Sequence, residues 1–403
     1  MSRIETEIAI VGGGLVGCMI ACALRRRGRA VVVLERGLVG GQSSGVSFGS
    51  LRLQGQHATD LPLALRAHGL WLGIEAELGE SVELEQHGHV HLGLTAAHLE
   101  RLASNANQLD AVGLRPELLD RAEARRRWPF LGEAVQGASW SRHDATVNPR
   151  LVTPAFARAA LRLGAVIRES AEVLGAEHAN GRFTLRARAA DGEDLVVVAD
   201  SLVNAAGAWC GALAQNFGET IPVFAAGPAE IVTEPQPRFA LPVMHVVDGS
   251  VLFRQTIRGN VIIGGHPRMS VDAESRQVRV PPEKIATNLA RLVAIAPLMR
   301  GQHVIRTWSG IEGYIADMRP VLGPSATTPG LFHACAFSGH GLQVGPAVAE
   351  VLAELIVDGA TETPIGAYAI GRFEAGAGRA GHALAEEFQE GVRVGPAHPV
   401  GPA

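Results

Sequence analysis

The chain has 403 residues, with 36 Lys plus Arg against 40 Asp plus Glu and a formal net charge of −4. That balance excludes an electrostatic grip on a nucleic-acid backbone, which needs a basic surplus. Glycine is the outlier at 48 residues, and in a chain that is 47% hydrophobic the excess points to tight turns rather than disorder.

Lys284 is the single lysine, so any Schiff-base chemistry would have to use it. The cysteines Cys18, Cys22, Cys210 and Cys335 form no disulfide framework in a chain this long. Cys18 and Cys22 share a helix face but lack a second pair nearby, so they read as small buried hydrophobes rather than metal ligands. The histidines show no H-E-x-x-H spacing, and no metal site is expected.

In chain order, residues 5–11 spell a short strand, 15–27 a helix and 30–35 a buried strand. This is one βαβ unit and implies a parallel sheet. The apolar run 8–24 follows acidic Glu5 and Glu7 and has no basic flank, so it is not read as a signal or a span. A cytoplasmic protein that does not span a membrane is expected. Residues 43–56 read as a loop, 60–78 as a helix started by Asp60 and Pro62, and 88–93 as a strand. Helices are expected over 95–112, 116–128 and 150–164, then strands near 166, 172–177, 183–188 and 202–204. Residues 221–265 are β-rich, 282–296 helical, 331–336 a strand and 341–357 a helix. The tail beyond Phe373, rich in Gly, Ala, Pro and His, reads as peripheral.

Gly12-Gly13-Gly14-Leu15-Val16-Gly17 supplies a G-x-G-x-x-G turn between that first strand and helix. Glu35 closes the next strand, where it can accept the hydroxyls of an adenosine ribose. The context makes this a dinucleotide fingerprint: backbone N–H groups and the positive helix end meet a pyrophosphate. The fingerprint does not choose between NAD and FAD. Three later segments favour FAD: Gly41-Gln42-Ser43-Ser44-Gly45, the second strand-to-glycine turn Val203–Trp209, and Phe337-Ser338-Gly339-His340-Gly341-Leu342-Gln343. The last opens a long helix, whose N-terminus suits negative charge on a reduced flavin.

On these residues the chain resembles the D-amino-acid oxidase superfamily of flavoproteins over nearly its whole length. Ser43–Arg52, Phe253-Arg254-Gln255, Gly264-Gly265 and Trp308–Tyr314 make it look closest to the flavin subunits of opine oxidases, D-hydroxyproline dehydrogenase and hydrogen cyanide synthase. Glycine oxidase and sarcosine oxidase are more distant. The resemblance implies an α/β fold: a discontinuous FAD-binding, Rossmann-like domain of glutathione-reductase type (1–80, 142–215, 305–375) and a β-rich α+β substrate domain (81–141, 216–304), with 376–403 a tail. It implies that Gly12 to Gly17 hold the pyrophosphate, Glu35 the ribose and Arg36 a neighbouring contact. Gln42, Ser43 and Ser44 hold phosphates and the flavin edge, and Val173 lies at the adenine. Ala206 and Gly207 line the pyrophosphate, Gly310 passes the flavin, and Gly339, His340, Gly341, Leu342 and Gln343 serve the pyrimidine end.

The chain departs from the family in two places. No arginine stands near Glu312, where simple amino-acid oxidases clamp a carboxylate, and no cysteine stands where sarcosine oxidase tethers its flavin. Non-covalent FAD and a differently anchored substrate follow. Substrate-site candidates are Arg52, Arg254, His266, Glu312 and Tyr314. Each also has a plain alternative: ion pairing for the arginines, solvation for His266, and structural packing for Glu312 and Tyr314.

The expected activity is oxidation of a C–N bond in an amino acid or secondary amine by hydride transfer to flavin, with dioxygen or an electron-transfer partner as acceptor. The alternative is a flavin subunit inactive alone that works with a small iron–sulfur subunit, since this chain has no cluster-type cysteine spacing. A non-enzymatic nucleotide module and a flavin hydroxylase fit less well: the first leaves the long insert unexplained, and the second needs a Gly-Asp motif not found in context.

Overall fold

The computed structural model describes residues 2–373, 387–389 and 392. Its first sheet grows from the βαβ unit. The Val31–Leu34 strand is buried at every position, as a strand covered on both faces must be. It lies parallel to Ser2–Val11, which lies parallel to Asp194–Asn204, and Leu331–Cys335 extends the sheet on that side. Val166–Arg168 adds a further parallel strand beyond Val31–Leu34, and Val321–Pro324 closes the other edge antiparallel.

One face of this sheet carries the helices Leu15–Arg26, Leu61–Leu72, Pro149–Arg162 and Gly341–Val357. Ile20, Leu24, Trp71, Phe156, Val348 and Leu352 form the largest core there. The other face is covered by the antiparallel strands Glu172–Ala179 and Arg182–Arg188, which bury Phe183 and Leu185 against Val32 and Leu34.

The second sheet has eight strands, ordered 304–308, 230–235, 260–264, 252–255, 243–246, 89–93, 137–141 and 117–120. All its pairs are antiparallel except 243–246 with 89–93. Side chains alternate across a strand, so each strand here has two characters. Val90, Leu92, Met244, Val246, Phe253 and Ile263 form an apolar face under the helices Arg121–Arg127 and Pro282–Ile295. The opposite face is polar yet buried. His89, His91, Ser139, Ser141, Glu230 and Arg254 lie on it, all removed from solvent. Register aligns Leu252, His245, His91 and Ser139 in one row across four strands. Polar groups taken from water need partners, so this face marks where a ligand belongs.

The structure corrects several sequence expectations. Glu117–Asp120 is a strand bonded to Gly137–Ser141, not the start of a helix, because the sheet edge supplies bonds that a short helical turn cannot. Residues 60–78 form two helices separated at Gly73. The 43–56 segment contains a short helix, Ser43–Val46, and a strand, Ser50–Leu51. Val304–Trp308 is the edge strand of the second sheet, which therefore runs past the expected boundary at 305. In the tail, Phe388 is buried against Phe224 and Tyr314, so this part is not peripheral; most of 376–403 lies outside the described residues. All four cysteines are free and buried, matching their reading as small hydrophobes. Among the described residues, no helix is long and apolar enough to cross a membrane.

The buried face of the Pro282–Ile295 helix includes Lys284, whose Nζ has no partner among the described residues. Burial, with Arg291 and Arg268 adding to it, pushes this ammonium down from 10.5 to about 8. Below about pH 8 both states carry the proton and burying the charge lowers stability by the full amount; between about 8 and 10.5 only the unfolded chain holds it, so that cost fades as pH rises. Replacing Lys284 with Met is expected to stabilise the fold by about 1–3 kcal/mol at pH 7. The gain should be full below about pH 8 and fade toward 10.5, as thermal melts across that range will test.

Candidate active site

The glycine turn is built from two backbone approaches. A Cβ on Gly17 would stand 2.0 Å from the Gly12 carbonyl oxygen. Gly12, at φ +114°, would drive its own Cβ to 2.3 Å from the Ala205 oxygen. Glu35 braces the turn, accepting from the Gly13 N–H at 2.7 Å and the Gly37 N–H at 2.8 Å. The Leu15 N–H donates to Ser44 Oγ at 3.0 Å, which ties the Ser43–Val46 segment to the helix start. Gln42 precedes that segment and makes no side-chain cap. Gly14 caps the Leu15–Arg26 helix with no side-chain bond and no acidic residue in the first turn.

The other expected cofactor positions have these surroundings. The Arg36 guanidinium stacks 3.6 Å from the centre of the Trp209 ring, and its Nη2 is buried without a hydrogen-bond partner among the described residues. The Ala206 N–H donates to Asn204 Oδ1 at 3.3 Å, and Gly207, at φ +56°, faces open space. Val173 lies in the strand antiparallel to 182–188, opposite Ala187. Gly310 backs onto Ser43, where an added Cβ would lie 3.0 Å from Cα, and Trp308 donates to the Val46 carbonyl at 2.9 Å. His340 precedes the Gly341–Val357 helix with no side-chain cap. That helix packs Gly345 against Leu15 and Met19, so the two helix starts lie side by side. Leu342 packs on the main core, and Gln343 turns its side chain inward to the Ala64 carbonyl at 3.2 Å. The chemistry fits a dinucleotide: uncapped helix starts, a turn whose backbone packs too closely for a Cβ at Gly12 or Gly17, and a buried guanidinium nitrogen without a partner among the described residues.

The substrate candidates divide. Arg254 projects from the polar sheet face and donates from Nε to the Phe48 carbonyl at 2.7 Å and from Nη2 to the Val147 carbonyl at 3.4 Å. Nη1 has no partner among the described residues, and no carboxylate lies within ion-pair reach. Burial lowers this guanidinium to about 10 against the pull of Glu230. Glu230, on the same face, is buried with Oε2 unpaired among the described residues; burial first, and Glu312 next, hold it well above the usual carboxylate range. Tyr314 is fully buried and its hydroxyl donates to Glu312. Both converge on Gly339, where an added Cβ would lie 3.8 Å from the Tyr314 hydroxyl and 3.6 Å from Arg268 Nη2. Arg268 lies over the Tyr314 ring at 4.9 Å and pairs with Glu387 at 2.6 Å.

Arg52 is no surface ion pair. It turns inward to the Gln54 carbonyl at 2.5 Å and stands beside His91 over Gly55. His266 packs on Gly249 rather than joining the row; burial and Arg268 lower it to about 2.

Sequence reasoning missed Glu230, Arg268, Asp144 and the histidines His89, His91 and His245. The available signal was the alternating His89-Val90-His91 in a strand whose other face is apolar.

The model of one family, described as FAD dependent oxidoreductase, matches residues 7–355. The chain belongs to that family. It is 28% identical over 382 residues to one of the subunits of the opine oxidase of Agrobacterium tumefaciens (strain Ach5), covering 92% of this chain and 98% of that protein. Glycine oxidase of Geobacillus kaustophilus (strain HTA426) is 26% identical over 359 residues, covering 87% and 92% of the two chains. Among solved structures, L-proline dehydrogenase from P. horikoshii superposes with a TM-score of 0.86 at 27% identity, covering 94% of this chain and all of that one. These matches bear out the expected D-amino-acid-oxidase likeness and the α/β fold. The chain is an oxidoreductase of this FAD-dependent family, with relatives named for amino acids and secondary amines.

Gly17→Ala is expected to abolish flavin retention, because the new methyl meets backbone at 2.0 Å. The control is Gly69→Ala, a helical position with nothing within 4 Å, which should keep flavin and melt no lower than the parent. Absorbance of the purified proteins near the flavin band, with thermal melts, reads both.

Proposed function

We propose that this chain oxidises the C–N bond of an amino acid or N-substituted amine, yielding an imine that hydrolyses in water. The observation that carries this is Arg254, a buried guanidinium with a free nitrogen and no carboxylate partner among the described residues. An isolated buried charge is costly, and a substrate carboxylate would pair it. Bound FAD supplies the hydride acceptor.

The glycine turn Gly12 to Gly17 holds the pyrophosphate in this reading, with Glu35 at the ribose and Arg36 beside it. Gln42, Ser43, Ser44, Ala206 and Gly207 line the phosphates. Val173 meets the adenine, and Gly310 with Gly339 to Gln343 border the flavin ring. The attachment is non-covalent, consistent with four cysteines buried inside secondary structure. On the substrate side, Arg254 orients the carboxylate. Glu312, held above its usual range by burial and bonded by Tyr314, is placed to accept a hydrogen bond from the amine. An amine must lose its proton before its lone pair can assist hydride departure, and a carboxyl with a raised pKa is a suitable acceptor.

A second reading is favoured by the opine oxidase relative, which is named as one subunit of its enzyme and so forms part of a larger assembly. Here the chain is the flavin subunit and passes electrons to a partner, such as a small iron–sulfur protein, rather than to dioxygen. The location proposed is the cytoplasm.

Anaerobic mixing of the flavin-loaded protein with glycine, sarcosine, proline, D-amino acids, hydroxyproline and N-carboxyalkyl amino acids should bleach the flavin with at least one class. Bleaching by none would end the catalytic reading. With the active substrate, Arg254→Met is expected to raise the half-saturating concentration about 10²–10³-fold while flavin stays bound, from loss of a charge-assisted pair. Bleaching without turnover in air, with turnover restored by co-expressed partners, selects the subunit reading.

A further inference from the structure

We propose that His89, His91 and His245 form a binding site for a divalent transition metal of the zinc type on the buried polar face of the second sheet. The topology builds it. His89 and His91 are two apart on one strand and so share a face, and His245 lies opposite His91 on the parallel neighbour. The ring centres stand 4.9 to 5.5 Å apart. One nitrogen from each ring lies within 4.8 Å of the others. A cation at the middle of such a triangle is about 2.8 Å from each nitrogen, so small ring rotations bring it to the zinc–imidazole distance of about 2.0–2.1 Å.

The second observation is the state of the nitrogens. Both ring nitrogens of His89, both of His91 and Nδ1 of His245 are buried with no hydrogen-bond partner among the described residues. A core histidine kept for packing satisfies its N–H with a carbonyl or carboxylate, and these do not.

The Asp144 carboxylate, held by the Leu53 N–H at 2.8 Å, lies 3.9 Å from His89 Nδ1: beyond hydrogen-bond distance in this structure, but close enough that a turn of the ring would make it the outer partner of a ligating His89. Three imidazoles with no thiolate suit Zn²⁺, Co²⁺, Ni²⁺ or Cu²⁺ over Mg²⁺ or Ca²⁺, and leave a coordination position open. Arg52 stands beside His91 and opposes the cation. The site is independent of which amine the enzyme oxidises.

The test uses tag-free, flavin-loaded protein dialysed against chelator, then titrated with ZnCl2, desalted and assayed for bound zinc. About one zinc per chain is expected. His91→Ala and His245→Ala should each lose it while flavin stays bound. Asp144→Asn should weaken binding on the order of tenfold. Arg52→Met should tighten it several-fold, an effect that a merely structural role for Arg52 does not produce. Wild-type protein that retains no more zinc than the His91→Ala/His245→Ala double variant overturns the proposal. If the alanine variants lose flavin or fail to fold, cobalt(II) added to the wild type decides: ligand-field bands of tetrahedral intensity support the site, and their absence overturns it.

Discussion

The site depends on one backbone contact, the seat of Gly17 over the Gly12 carbonyl oxygen. No side chain fits between them, so the Leu15–Arg26 helix lies directly on the sheet and points its uncapped start at the turn. The same helix packs on Gly341–Val357, so a second uncapped helix start stands beside the first. Two positive helix ends meeting at one place attract an anion. The parallel strands 2–11, 31–34 and 194–204 then fix where Glu35, Ala206 and Gly207 must stand.

The second sheet solves a different problem. Its apolar face builds a core with helices, while its other face keeps Glu230, Arg254, His89 and His91 away from water, with His245 half-buried beside them. Such a surface is costly without partners. Arg254 finds two carbonyls, Tyr314 finds Glu312, and Arg268 is held between Glu387 and aromatic rings. Glu230 and the histidines find little. Unsatisfied polarity concentrated on one face is a functional signature because packing alone would not retain it.

The first sheet was largely legible in the sequence. Glycine spacing, the Val31–Leu34 run and the 341–357 helix are local patterns, and local patterns survive folding. Elements that drifted were decided by partners. Residues 117–120 became a strand because 137–141 offered an edge, and Val304–Trp308 joined the second sheet through Glu230–Pro235. Phe388 is buried only because Phe224 and Tyr314 wait for it across the chain.

By itself the sequence determined the dinucleotide turn, the family likeness and Arg254 as a substrate candidate, because each rests on residues near one another in the chain. Tertiary structure alone decided that Arg254 meets no carboxylate among the described residues, that Arg52 turns inward, and that Arg268 meets Tyr314 and Glu312 at the Gly339 turn. It also set His245 opposite His91, although the two lie far apart in the chain. Side chains so distant in sequence converge only when strand register is fixed, and register belongs to the whole sheet rather than to any segment of sequence.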